Sequence, residues 1–147
     1  METKKITQSI DINATKERIW DVLTDDELSR EWMAAFGAGN YAVTDWKTGS
    51  KVTYRDDAGN GMIGEILISE PGKSLAIEYI GMIMNNEEDY DSKDAESVKG
   101  GIESYVLTET DGKVNLSISS DMDPEYFEMM STAWENALAE IKKLSEK

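Results

Sequence analysis

The sequence predicts an α+β fold, an antiparallel sheet whose apolar face packs on a long C-terminal helix. Three features carry this expectation. Between residues 123 and 147, Phe127, Met130, Trp134, Leu138, Ile141 and Leu144 recur every three or four positions, which lines them on one side of an α-helix. From Tyr41 to about Ser120 the apolar period is two, and turn-forming residues interrupt it at regular intervals. Ahead of these strands lie one alternating segment and two short amphipathic ones. Burying each large side chain of the C-terminal stripe is worth roughly 1.5–3 kcal/mol, so the stripe needs a broad apolar partner such as one face of a curved sheet.

In chain order, Lys4–Ile12 sets Ile6, Gln8, Ile10 and Ile12 against Thr7, Ser9 and Asp11, the pattern of a half-buried strand. Asn13-Ala14-Thr15 breaks the alternation, and Thr15 is placed to cap a short helix carrying Ile19, Trp20, Val22 and Leu23. Thr24-Asp25-Asp26-Glu27 has the form of a capping box, with Thr24 as the cap and Glu27 as its reciprocal partner. It opens a second helix whose inner side holds Leu28, Trp32 and Met33. Turns at 47–50, 56–61, 71–73 and 111–112 then separate strands expected at 41–46, 51–55, 62–69, 74–84, 101–109 and 113–120. Asp111-Gly112 supplies the positive φ angles of a type I′ hairpin, so the last two strands should be direct neighbours. Asp123 is an N-cap candidate and Pro124 suits the first helical position. Lys142, Lys143 and Lys147 lie toward the negative end of the helix dipole.

Residues 85–101 interrupt this regularity. Glu87, Glu88, Asp89, Asp91, Asp94 and Glu96 crowd together there with few apolar neighbours, so a long loop or mobile hairpin tip is expected. The spacing lacks the central glycine and final paired glutamate of an EF-hand, and no metal is expected. Gly59-Asn60-Gly61 and Gly100-Gly101 sit between strands with no helix following, which reads as turn chemistry rather than a phosphate loop.

Composition narrows the function classes. With 30 Asp plus Glu against 15 Lys plus Arg, the net charge of -15 repels nucleic-acid phosphate and anionic membrane surfaces. No nucleic-acid partner and no membrane insertion are expected. No stretch is long enough to span a bilayer and residues 1–6 lack the apolar core of a signal peptide, so the expected location is cytoplasmic. The absence of Cys excludes disulfides and thiolate sites. The absence of His removes the commonest general base and the commonest transition-metal ligand, leaving carboxylates, Tyr, Lys and Arg for any catalysis. No cofactor is expected. A length of 147 residues fits one domain, 1–147, with no internal repeat or linker.

The order of strand, two short helices, six antiparallel strands and closing helix is that of the helix-grip fold, in which a strongly bent sheet wraps around the last helix. Specific stretches extend the likeness: residues 12–20 as strand end and first helix, 28–32 as second helix with its Trp, and 46–52 as a turn into the next strand. Gly64-Glu65-Ile66 followed by Pro71 and Leu75, and Trp134, Leu138, Ile141 and Leu144 of the closing helix, complete it. In this order and spacing the sequence resembles the bacterial homologues of the activator of heat shock protein 90 ATPase. These belong to the START-like (SRPBCC) superfamily, which also includes polyketide cyclases and lipid-transfer domains. Two positions depart from the family pattern, Gly49-Ser50 for a Gly-Gly turn and Lys113 for a Thr after the late hairpin. Eukaryotic activators add an N-terminal domain with an Asn, Trp and His-rich motif, whereas this sequence enters its first strand almost at once. Chaperone stimulation is therefore not implied.

The resemblance implies a binding module, because superfamily members hold apolar or aromatic small molecules in a hydrophobic cavity between the concave sheet face and the last helix. Expected ligand-binding residues are Trp32, Met33 and Phe36 at the entrance, and Tyr54, Tyr79 and Tyr105 from strands. Met82 lies near an opening, and Phe127, Met130 and Trp134 come from the helix. An aromatic and Met stripe at helical spacing is also what plain core looks like. The expected ligand is an apolar small molecule, aromatic or acyl, neutral or weakly charged, and held without chemistry, since the net charge disfavours anions. The alternative is a protein-interaction or co-chaperone-like domain whose acidic surface meets a basic partner with salt-sensitive affinity. A third is a His-free cyclase-like enzyme using Tyr, Arg55, or a carboxylate such as Glu65, Glu78 or Glu103. Each of these is expected to point to solvent from its strand, and no pair of carboxylates separates into acid and base. No catalytic residue is assigned.

Overall fold

Alternation in β1 (Lys4–Ile12) buries Ile6 and Ile12 and leaves Thr7, Ser9 and Asp11 outside, as the period-two pattern requires. The computed structural model describes residues 3–147; Met1 and Glu2, the start of the stretch inspected for a targeting signal, lie outside them. Two helices follow, α1 (Lys16–Thr24) and α2 (Asp26–Met33). Thr15 caps α1 by accepting from the Arg18 N–H at 3.1 Å. The expected capping box does not form. Thr24 donates its hydroxyl back to the Trp20 carbonyl at 2.8 Å, and Asp25 becomes the cap of α2, accepting from the Leu28 N–H at 3.1 Å. A carboxylate is a strong acceptor at the positive end of a helix, while the Thr hydroxyl is satisfied within the preceding turn. Asp25→Ala should therefore cost about 1 kcal/mol and Thr24→Ala clearly less, as read from urea midpoints.

The strands are β2 (Tyr41–Val43), β3 (Lys51–Arg55), β4 (Gly61–Glu70), β5 (Ser74–Met84), β6 (Glu87–Asp89), β7 (Ile102–Thr110) and β8 (Lys113–Met122). They form one antiparallel sheet in the order β1-β8-β7-β5-β4-β3-β2, with β6 beside the end of β5. Asp111 and Gly112 turn β7 into β8 with φ of 52° and 80°, the hairpin expected of that pair. β2 stops at Val43 rather than continuing to Trp46, whose φ of 58° is left-handed and incompatible with a strand. Register shifts in the β4–β5 pairing at Ile63/Gly64 and Ile66/Ile68 bend the sheet.

Residues 85–101 form a hairpin return and a short helix rather than a long loop. β6 pairs with β5, and a short helix α3 (Lys93–Val98) follows, capped by Ser92 and burying Ala95. Local partners offset the crowding of carboxylates. Lys51 binds Glu88 at 2.8 Å, and Asp89 accepts from the backbone N–H groups of Asp91 and Ser92. Gly81 makes room for the fold-back, since a Cβ there would stand 2.7 Å from the Tyr90 ring and 2.8 Å from the Asp89 carbonyl. The Gly100 N–H and Gly101 carbonyl then join the backbone of Tyr79.

A 3₁₀ turn at Pro124–Tyr126, capped by Asp123, leads into α4 (Phe127–Ser145). Trp134, Ala137, Leu138, Ile141 and Leu144 are buried against the concave face, while Phe127 and Met130 are half-buried. Polar ties hold both ends of α4: Gln8 donates to the Ser131 carbonyl at 2.9 Å, Arg18 to the Leu144 carbonyl at 3.0 Å, and Lys142 to the Asp11 carbonyl at 3.0 Å. Among the described residues no helix is long and apolar enough to cross a membrane.

Candidate functional site

Between α4 and the concave face the packing leaves a cavity of about 130 Å³. The end of α2 brings Trp32 and Met33 to it, and the 3₁₀ turn Ala34–Phe36 brings Phe36. β3, β5 and β7 contribute Tyr54, Tyr79 and Tyr105, and α4 contributes Met130 and Trp134. Eight of the ten residues named from the sequence thus line one space. Met82 does not reach it: it stands in the row Tyr54, Met62, Met82 across three strands, between Met62 and Asp89 of β6. Phe127 lies one turn before Met130, its ring face covered by the Lys4 ammonium at 4.2 Å. Asn40 and Met62, which the sequence did not single out, also line it, as does Glu103, which the sequence offered only as a carboxylate for catalysis.

The aromatic walls pack on one another. Trp134 packs against Phe36 at 4.8 Å between centroids, Tyr105 at 5.8 Å and Trp32 at 6.4 Å. The Trp32 indole is anchored by its N–H to the Val22 carbonyl at 2.8 Å, whereas the buried Trp134 Nε1–H has no acceptor among the described residues.

Glu103 gives the cavity its polarity. Glu65 is exposed and Glu78 half-exposed, but Glu103 points inward, in phase with Tyr105 and Leu107 on β7. The expectation that it faces solvent is therefore corrected. It is 8% exposed, with Oε1 accepting the Tyr79 hydroxyl at 2.9 Å and Oε2 the Tyr105 hydroxyl at 2.6 Å. Burial raises its pKa from the ordinary carboxylate value, and the two phenol donors only partly oppose this. Burial and then the Glu103 charge push the phenols of Tyr54, Tyr79 and Tyr105 well above their ordinary value. A carboxyl group whose folded pKa is raised gives stability that is present below the unfolded pKa and is lost as pH rises through the folded pKa. Glu103→Gln lacks this loss. The urea midpoint of the variant relative to wild type should rise with pH across the window just above the ordinary carboxylate pKa, and a flat difference would contradict the burial.

Among the described residues no group of three or more His, Cys, Asp or Glu is placed to hold a metal ion. A bent antiparallel sheet gripping a closing helix, with an aromatic cavity between them, defines the helix-grip class of the START-like superfamily. The chain belongs to the Activator of Hsp90 ATPase homolog 1-like family, whose model matches residues 13–146. No curated protein matches the sequence. Among solved structures, the Aha1 dimer from Colwellia psychrerythraea is similar at a TM-score of 0.74 and 19% identity, with 97% of this chain and 96% of that chain covered. Protein MLL2253 from Mesorhizobium loti is similar at 0.75 and 17% identity, with 96% of each chain covered. CalU16 from Micromonospora echinospora is similar at 0.68 and 16% identity, covering 97% of this chain and 76% of that one.

Proposed function

We propose that the protein holds a small apolar molecule between α4 and the concave sheet face without changing it chemically. The observation that carries this is the cavity of about 130 Å³ walled by Trp, Tyr, Phe and Met. An apolar cavity of about 150 Å³ takes up benzene, so the space suits one aromatic ring. A longer acyl ligand would require Met33, Met62 and Met130 to swing aside, which unbranched thioether chains do readily. Binding without chemistry is supported by Glu103 standing alone as the buried carboxylate at the cavity, with no second group to divide acid and base roles. The Cys-free composition fits a cytoplasmic setting, which is part of the same proposal.

The test is a titration of simple aromatics, fatty acids, sterols and flavonoids, followed by Trp fluorescence and amide shifts. Single-ring compounds should give saturable shifts at Trp32, Tyr105 and Trp134, and Met130→Trp, which fills the cavity, should abolish them. Absence of saturable shifts across the panel, or binding unchanged in the filled variant, would favour the second reading. That reading is a protein-interaction module, supported by the net charge of -15 and by the family's chaperone-activator name. Its mark is capture of a basic protein that is lost at high salt.

A further inference from the structure

Among the described residues the Glu103 carboxylate has no cationic partner. Among the described residues every ion pair involves other carboxylates, and only burial and the Tyr79 and Tyr105 hydroxyls act on its ionisation. Each carboxylate oxygen accepts one hydrogen bond and has lone-pair capacity for a second. A buried charge without a counter-ion is costly, and a donor or cation entering the cavity relieves that cost directly. The walls suit the same visitor, because Trp, Tyr and Phe rings attract an ammonium group by their negative π-faces. The protein's overall charge of -15 concentrates cations and repels anions at the opening.

We propose that the cavity selects a small aryl-alkyl ammonium ion, with its ring among Trp32, Phe36 and Trp134 and its ammonium donating to the Glu103 carboxylate. This rests on the reading of the cavity as a ligand site and narrows its ligand to a cation. The titratable groups facing Glu103 are Tyr54 from β3, Tyr79 from β5 and Tyr105 from β7. α2 and α4 present Trp32, Met33, Met130 and Trp134, none of which ionises. Burial keeps the three phenols neutral through the acid and neutral range. Glu103 is thus the group at the cavity wall that changes charge there.

The experiment compares benzylammonium with benzyl alcohol, toluene and benzoate by calorimetry and amide shifts, on wild type and Glu103→Gln. Benzylammonium should bind wild type about tenfold or more tightly than benzyl alcohol, as a charge-assisted hydrogen bond warrants, and benzoate more weakly than either. Glu103→Gln should erase that advantage. On wild type alone, ammonium affinity should fall as pH drops through the Glu103 pKa while the affinity of toluene, which has no polar hydrogen to donate, stays level, and this tests the point without any variant. Preference for benzylammonium that persists in Glu103→Gln and disappears in 1 M salt would assign it to the diffuse surface field and overturn the proposal. Neutral compounds binding as well as the ammonium would overturn it while leaving the cavity a ligand site. No binding of any probe to wild type would overturn both.

Discussion

Trp134→Ala should lower the unfolding free energy by about 3–5 kcal/mol, the range for truncating a buried aromatic side chain. Trp134 is 1% exposed and is the common neighbour of Phe36, Tyr105 and Trp32, so its removal takes away the contact that joins α4, β7 and α2. The surrounding rings are themselves held, Trp32 by its bond to the Val22 carbonyl and Tyr105 by Glu103, and the site cannot collapse to fill the void. Urea titration reads the loss, and a value below about 1 kcal/mol would contradict the packing. Trp134→Phe should cost much less, because it keeps ring contact and removes an indole N–H that lacks an acceptor among the described residues. In Trp134→Ala the enlarged cavity should accept bulkier aromatics than wild type does.

Gly61→Ala should be comparably damaging for a different reason. Gly61 opens β4 opposite Arg55, and a Cβ there would run into the backbone carbonyl of Tyr54. Backbone cannot turn aside as a flexible side chain does, so β3 and β4 would have to separate at the start of their hairpin. A loss of about 3 kcal/mol, the upper end for overpacking, is expected in the same titration. Tyr54 and Met62 flank this contact and both line the cavity, so the shifts produced by a bound ring should weaken as well. Gly49→Ala supplies the comparison: nothing lies within 4 Å of a Cβ there, and only its φ of 90° disfavours the change. It should cost less and leave binding intact.

The elements that the sequence revealed are those in which one physical rule acts alone. β1 follows strict alternation, the Asp111-Gly112 turn follows backbone sterics, and Trp134, Leu138, Ile141 and Leu144 follow helical period. Expectations failed where two rules competed. In residues 85–101 the density of carboxylates argued for a loop. The pairing of β6 with β5, the Lys51–Glu88 bond and the space above Gly81 outweigh repulsion, and the ion pair joins residues 37 positions apart. Glu103 shows the same conflict within one strand. Its charge argued for solvent, yet its phase with Tyr105 and Leu107 argued for the interior, and two phenols, Tyr79 from the neighbouring β5 and Tyr105 from β7 itself, make the interior tolerable. Phase was the available signal. Met62 gave none, because the register shift beside it depends on how β4 meets β5.

The placement of β1 beside β8 also shapes how the chain reaches this structure. Asp11 and Asn115 are bonded neighbours separated by 104 positions, and α4, which covers the concave face, follows every strand. Pairing over such distances requires a large loop to close before any contact compensates the lost entropy, which places folding in the slow regime of milliseconds to seconds typical of nonlocal β topologies. During translation the hairpins from β3 to β8 can assemble locally, but their apolar face stays open to solvent until the closing helix emerges. The interval between the synthesis of β8 and the docking of α4 is therefore when this chain is most exposed to aggregation.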